Sequence, residues 1–250
     1  MDLGLTGRRA LITGASKGIG RAIAATLAAE GAAVAIASRS PENIAAAAAE
    51  VGAAGFVWDS ADVDGAAKLA ADVEASLGGP IEVLVCNTGG PPAGADPLGF
   101  STADWEAAHR SLVLAPMALV GAVLPQMRRR GWGRILNVAS SAVREPIPHL
   151  MLSNAERSAT VAAFKTLARQ VAGDGVTLNT LLPGRILTDR LLSMAGSEEA
   201  VRQAAAQEVP AKRPGSVEEF AAVAAFLCSE RASYVTGAAL PVDGGLLRAI

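Results

Sequence analysis

Thr13-Gly14-Ala15-Ser16-Lys17-Gly18-Ile19-Gly20 is the stretch on which the reading of this chain turns. It follows an apolar run at 10–12 that fits a buried first strand. It leads into Arg21-Ala22-Ile23-Ala24-Ala25-Thr26-Leu27-Ala28, helical by composition and spacing. A strand, a glycine-rich turn and a helix start together make an anion site. The first N–H groups of a helix have no intrahelical acceptor, and the aligned peptide dipoles add partial positive charge there. Glycines permit the tight turn and let a pyrophosphate approach the backbone. The spacing is Gly-x-x-x-Gly-x-Gly rather than the general Gly-x-Gly-x-x-Gly fingerprint. A glycine-rich strand-to-helix turn that binds nothing would carry the same letters, so the rest of the chain has to decide.

The bulk numbers narrow the classes. The chain has 250 residues, 51% apolar and 18% charged, which suits one large α/β domain over 1–250 with an ample core. A formal charge of −2 leaves no electrostatic footprint for nucleic acid. Arg128-Arg129-Arg130 stands where a helix should end, and there it complements the dipole. Two cysteines, Cys86 and Cys228, make no disulfide framework, and no Cys/His cluster has metal-ligand spacing. A reducing, cytoplasmic setting and no metal are the expectations. Residues 1–8 lack the apolar core of a signal peptide. The uncharged stretch 111–127 contains Pro116 and Pro125 and is short for a membrane span; a helix buried on several sides accounts for it better.

Strand-like runs at 10–12, 33–37, 55–58, 83–86, 135–138, 176–182 and 239–242 alternate with Ala-rich helical segments at 42–51, 66–77, 105–130 and 155–172. Alternation of this kind implies parallel strands with right-handed crossovers. Runs apolar on both faces imply helices on both sides of the sheet. The expectation is a Rossmann-like, doubly wound α/β fold, whose ligand sits beyond the carboxyl ends of the strands. The residues that follow each strand are therefore the informative ones. After the second strand comes Ser38-Arg39-Ser40, with no carboxylate to take the ribose hydroxyls of NAD. Arg39 instead offers a planar cation to a 2′-phosphate, and Lys17 adds a second charge, which favours NADP over NAD.

Several further motifs, in order, resemble the short-chain dehydrogenase/reductase family from Leu5 to Gly245. They are the Thr13–Gly20 loop, Trp58-Asp59-Ser60, Asn87-Thr88-Gly89, Pro183-Gly184-Arg185-Ile186-Leu187-Thr188, and the closing Val235-Thr236-Gly237 and Val242-Asp243-Gly244-Gly245. The resemblance implies a bound dinucleotide. Gly14, Ser16, Lys17, Gly18, Ile19 and Gly20 would hold its phosphates, and Ser38 and Arg39 its adenosine phosphate. Asp59 with Ser60 would take the adenine amino group, although a lone Asp can equally cap a helix. Asn87 and Gly89 would let the ribose pack closely. Pro183, Gly184, the backbone at Ile186 and the hydroxyl of Thr188 would hold the nicotinamide carboxamide. Thr88 and Gly90-Pro91-Pro92 depart from the family pattern.

The catalytic pattern departs further. Classical members work with Asn, Ser, Tyr and Lys. Gly133-Arg134-Ile135-Leu136-Asn137-Val138-Ala139-Ser140 puts Ser140 at the serine position, but the tyrosine and lysine positions hold Ser153 and Arg157, and the asparagine position holds Leu112. The one tyrosine of the chain, Tyr234, sits beside the closing motif, where packing is the expected role. Arg157 keeps a permanent charge and a fork of donors able to hold ribose hydroxyls. The Ser153 hydroxyl is much less acidic than a phenol. His149 is a conceivable substitute acid, because imidazole is the side chain suited to proton transfer near neutral pH, against the plainer reading of a solvated loop histidine. His109 reads as structural or surface, and Glu156 as a partner of Arg157 or a solvated carboxylate. Two functions compete. One is an atypical NADP-dependent oxidoreductase acting on a small carbonyl or alcohol substrate, with Ser140, Ser153 and Arg157 at its centre. The other is a non-catalytic NADP(H)-binding sensor or scaffold. A lyase or isomerase on the same fold is a third, weaker possibility. Apolar surface on the helices from Leu112 and Ala155 beyond what one sheet face needs points to a homotetramer, as in the resembling family, with no nucleic-acid or membrane partner.

Overall fold

Leu11, Ile12, Leu84, Val85, Ile135, Leu136, Leu178 and Leu181 are all at least 98% shielded from water, so their strands must be covered on both faces. The computed structural model, which describes residues 1–249, satisfies this with one seven-stranded sheet. The strands are β1 (Arg9–Thr13), β2 (Ala33–Ser38), β3 (Ala54–Val57), β4 (Val83–Cys86), β5 (Gly133–Val138), β6 (Val176–Pro183) and β7 (Ala239–Val242). All pair in parallel, in the order β3-β2-β1-β4-β5-β6-β7. Chain direction across the sheet reverses between β1 and β4, and there a crevice opens at the strands' carboxyl ends. One face is covered by α1 (Gly18–Ala29), α2 (Pro41–Val51) and α9 (Val217–Leu227), through Ile23, Leu27, Ile44 and Phe220. The other is covered by α3 (Ala66–Leu77), α5 (Ala115–Arg130) and α6 (Met151–Val171), through Leu69, Val73, Leu119, Val123 and Phe164. The doubly wound reading holds, within the described residues; Ile250, the end of the expected 1–250 domain, lies outside them.

The differences from the sequence reading have local causes. β3 was expected to be apolar on both faces, but as the sheet's edge strand it leaves Val57 58% exposed. The helix expected over 105–130 is two helices, α4 (Thr102–His109) and α5, joined by a wide π turn at Arg110–Leu114. Pro116 explains the break. In a regular helix its N–H would serve the carbonyl of Leu112, and proline has none. The Thr160 hydroxyl from α6 serves that carbonyl instead, at 2.6 Å. The stretch Thr102–Arg130 is long and apolar enough by composition to cross a bilayer, yet Leu119, Val120, Val123, Leu124 and Met127 are buried inside this domain. The two short helices α7 (Asp189–Ala195) and α8 (Glu198–Glu208), and α9 after them, went unread in the sequence. Each starts at a capping hydroxyl, Thr188, Ser197 or Ser216.

Thr160→Val keeps the shape and removes the donor, leaving a buried carbonyl unpaired. Urea unfolding should show a loss of about 1–3 kcal/mol with an unchanged m-value. An unchanged midpoint would mean that the wide turn does not depend on this bond.

Candidate active site

The glycine loop is locked against β4. Thr13 Oγ1 accepts from the N–H of Asn87 at 3.1 Å and donates to the Asn87 carbonyl at 2.9 Å, while Asn87 Nδ2 donates to the Gly14 carbonyl at 2.9 Å. Gly14 and Gly18 take positive φ values of 58° and 56°. A Cβ on Gly14 would lie 2.5 Å from the Asn87 carbonyl oxygen, and one on Gly20 would lie 2.5 Å from the Gly14 carbonyl oxygen. The loop therefore admits no side chain at either position. α1, which follows, has no side-chain cap and no acidic residue in its first turn, whereas α2, α4, α7, α8 and α9 are each capped by a Ser or Thr side chain. Lys17, in extended conformation at the N-cap, is exposed, and Ser16, Gly18 and Ile19 are half-buried around it. Its donor set and its lack of steric cover suit a phosphate.

Beside it, the Ala15 N–H reaches the Ala37 carbonyl at 3.3 Å and ties the loop to the end of β2. There the Ser38 hydroxyl is buried with no hydrogen-bond partner, and Arg39 is exposed. Among the described residues neither Lys17 nor Arg39 joins an ion pair. Asp59 is exposed and accepts from the Ala61 N–H at 2.9 Å, so it closes a turn ahead of α3 rather than capping that helix. Ser60 is half-buried, and Gly89 faces open space. On the far side, Gly184 packs so close to Asp243 that a Cβ would come within 2.6 Å of it. Pro183 ends β6, Ile186 is buried, and Thr188 caps α7 by accepting from Leu191 N–H at 3.3 Å, which leaves its own hydroxyl proton available. The Ile186 N–H already donates to the Gly184 carbonyl at 3.1 Å.

At the centre, Ser140 follows β5, and its Oγ accepts from Ala142 N–H at 3.1 Å. Ser153 is buried in the first turn of α6, one turn before Arg157. Arg157 Nε donates to Ser153 Oγ at 3.2 Å, Nη1 to the Val138 carbonyl at 2.8 Å, and Nη2 to the Thr88 carbonyl at 3.5 Å. All three partners are neutral. Burial pulls the Arg157 guanidinium down to about 10, and the positive charge of Arg190 pulls the same way. Leu112 is buried in the wide turn, so the asparagine position contributes only its backbone. Glu156 was expected to pair with Arg157 or to face water; it does neither, because it lies one residue round the helix and meets His109 Nδ1 at 2.8 Å. His149 is exposed in the turn Pro148–Leu150. Tyr234 is 100% exposed, so it packs against nothing in its own chain.

Two features escaped the sequence reading. Asn154 pins the loop ahead of α6 by donating from Nδ2 to the Ile147 carbonyl at 2.8 Å, and Gly94 N–H joins that loop at the His149 carbonyl at 3.0 Å. Arg190, just past Thr188, reaches back to the loop after β4, where Nη1 donates to the Gly90 carbonyl at 3.0 Å and Nη2 to the Pro91 carbonyl at 3.2 Å. The signal for Arg190 was in the sequence, as the family-breaking Gly90-Pro91-Pro92, but its partner stands a hundred positions away.

The geometry has counterparts elsewhere. A family model described as enoyl-(acyl carrier protein) reductase matches residues 14–247. Nodulation protein G of Azospirillum brasilense is 36% identical over 248 residues, covering 95% of this chain and 97% of its own. Human dehydrogenase/reductase SDR family member 4 is 33% identical over 248 residues, covering 96% and 88%. The crystal structure of L-sorbose reductase from Gluconobacter frateurii, complexed with NADPH and L-sorbose, matches with a TM-score of 0.94 at 33% identity over 100% of both chains.

Gly20→Ala separates propensity from packing. Alanine should add about 1 kcal/mol to a helix, but overpacking costs about 1–3 kcal/mol, and the contact here is with backbone. The melting temperature should fall by a few degrees, and a rise would refute the steric reading of the cradle.

Proposed function

The chain belongs to the short-chain dehydrogenase/reductase family, and from that premise we propose that it is an NADP(H)-dependent oxidoreductase that interconverts a small carbonyl compound and its alcohol, with proton transfer handled without a phenol. The observation that carries this reading is the uncapped, acid-free start of α1 beside an orphaned Ser38 hydroxyl and an unpaired Arg39. A diphosphate fits the first and a 2′-phosphate the second. Gly14, Ser16, Lys17, Gly18, Ile19 and Gly20 line the phosphate side, with Asp59, Ser60, Asn87 and Gly89 along the adenosine and ribose. Pro183, Gly184, Ile186 and Thr188 lie at the nicotinamide end.

When bound, the cofactor supplies or accepts hydride at the carbonyl carbon. The residues of this chain then do three things. Ser140, whose Oγ already accepts a backbone N–H, has its hydroxyl proton free to orient the substrate oxygen. Ser153 accepts from Arg157 and likewise turns its own proton outward. Arg157, its charge uncompensated, stabilises negative charge developing on that oxygen. Three of its donors are engaged, leaving two of five for a ribose or a substrate. Water supplies the proton. Losing a positioned acid costs ~10² to 10⁴ in rate, so turnover of ordinary ketones is slow.

The assembly reading is a homotetramer. Leu114, Phe226, Leu240 and Tyr234 are exposed, and less than half of the most apolar part of Thr102–Arg130 is buried within one chain. Cys86 and Cys228, free and buried, suit a cytoplasmic setting.

NADPH consumption measured against a panel of aldehydes and ketones should exceed background for some members, and a flat panel together with no saturable NADPH binding would sink the proposal. Arg39→Asp should shift the preference from NADPH to NADH, whereas unchanged affinity for both would remove Arg39 from the site. Ser153→Tyr combined with Arg157→Lys should accelerate reduction, and a wild type already as fast would mean that no acid is missing. Sedimentation should give a tetramer; a monomer would refute the assembly.

A further inference from the structure

Two guanidinium groups meet over the loop that follows β4. Arg157 holds the carbonyl of Thr88, and Arg190 holds those of Gly90 and Pro91, at 3.0 and 3.2 Å for the latter pair. They arrive from opposite sides, Arg157 from the first two turns of α6 and Arg190 from the start of α7. The loop is shaped to receive them, since a Cβ on Gly90 would lie 2.5 Å from Arg190 Nη2. Among the described residues, every hydrogen-bond partner of the two guanidiniums is neutral, and neither joins an ion pair. Elsewhere several arginines find carboxylates, since Arg8 and Arg9 share Glu82, Arg185 takes Glu208 and Arg213 takes Glu219, while the buried Arg134 is served by backbone carbonyls and the face of Trp132. A cation left without a counter-charge is costly where it is shielded from water, as Arg157 is, and the nearby charge of the exposed Arg190 raises that cost. An anion from outside would offset both charges, and a guanidinium fork matches a carboxylate in two bonds.

We propose that the substrate is an anionic carbonyl compound, an oxo acid or its hydroxy-acid product, whose carboxylate is held by Arg190 with Arg157 adding charge from the reaction centre. This rests on the oxidoreductase reading above. Arg190 selects the substrate and takes no part in the chemistry; its N–H fork sits at the rim, where it meets the carboxylate as the oxygen to be reduced reaches Ser140.

The test separates binding from turnover. With the NADP⁺-loaded protein, calorimetric titration with benzoate and with benzamide should show at least tenfold tighter binding of the charged probe. Arg190→Gln should erase that difference, and Arg190→Lys should keep part of it. In parallel, the ratio of kcat/KM for pyruvate and levulinate over their methyl esters should fall about tenfold in Arg190→Gln, through KM. NADPH affinity, measured separately, should be the same in all three proteins. Equal binding of benzoate and benzamide by the wild type would overturn the proposal, and so would a variant that lost NADPH affinity rather than carboxylate preference. Failure of the oxidoreductase reading looks different, because NADPH would then not saturate the wild type at all.

Discussion

The fold and the site share one constraint, the close contact between the end of β1 and the end of β4. Thr13 and Asn87 exchange two hydrogen bonds there, and the Asn87 side chain reaches across to the carbonyl of Gly14. This fixes the point at which the sheet's chain direction reverses, and it does so with groups that would otherwise be unpaired at strand ends. Because Asn87 fills the space under the loop, Gly14 and Gly20 have none for a side chain. The backbone N–H groups of α1 are thereby left facing the crevice, uncovered. The same β4 end continues into the loop on which Arg157 and Arg190 are seated. A single strand terminus thus positions both the proposed phosphate cradle and the loop that carries the two guanidiniums.

Most of this architecture was legible because buried strands are written plainly. β1, β2, β4, β5 and β6 are buried on both faces, and the apolar runs within them match each to within a residue or two. The misreadings occurred where one neighbour outweighs a periodic pattern. Pro116 is plain in the sequence, but only the structure shows that the N–H it removes goes with a wide turn at Arg110–Leu114 rather than an end to the helical path. The capping boxes Ser101/Asp104 and Ser216/Glu219 were visible in the letters and would have placed the starts of α4 and α9.

The site divides in the same way. The glycine loop, Arg39 and the run from Pro183 to Thr188 are local motifs, and the sequence names them. Glu156 with His109, and Arg190 with the loop from Gly90, are contacts between distant segments that no window of residues contains.

The replacement of tyrosine and lysine by Ser153 and Arg157 is a change of electrostatic strategy as much as a loss. A phenol gives up a proton, becomes a phenolate and is neutral again only once reprotonated; a guanidinium keeps its charge through the whole reaction. Burial lowers Arg157 to about 10, which still leaves it charged throughout the physiological range. A fixed cation of this kind stabilises an oxyanion for as long as it exists but cannot quench it, so protonation passes to solvent. Reduction is then most favourable for substrates whose product anion tolerates a wait for water. The same permanent charge that makes Arg157 a poor acid makes it, with Arg190, a good receptor for a carboxylate. In this chain the features that break the catalytic pattern and the features that break the loop pattern lie against each other, and the anionic substrate proposed above would account for both.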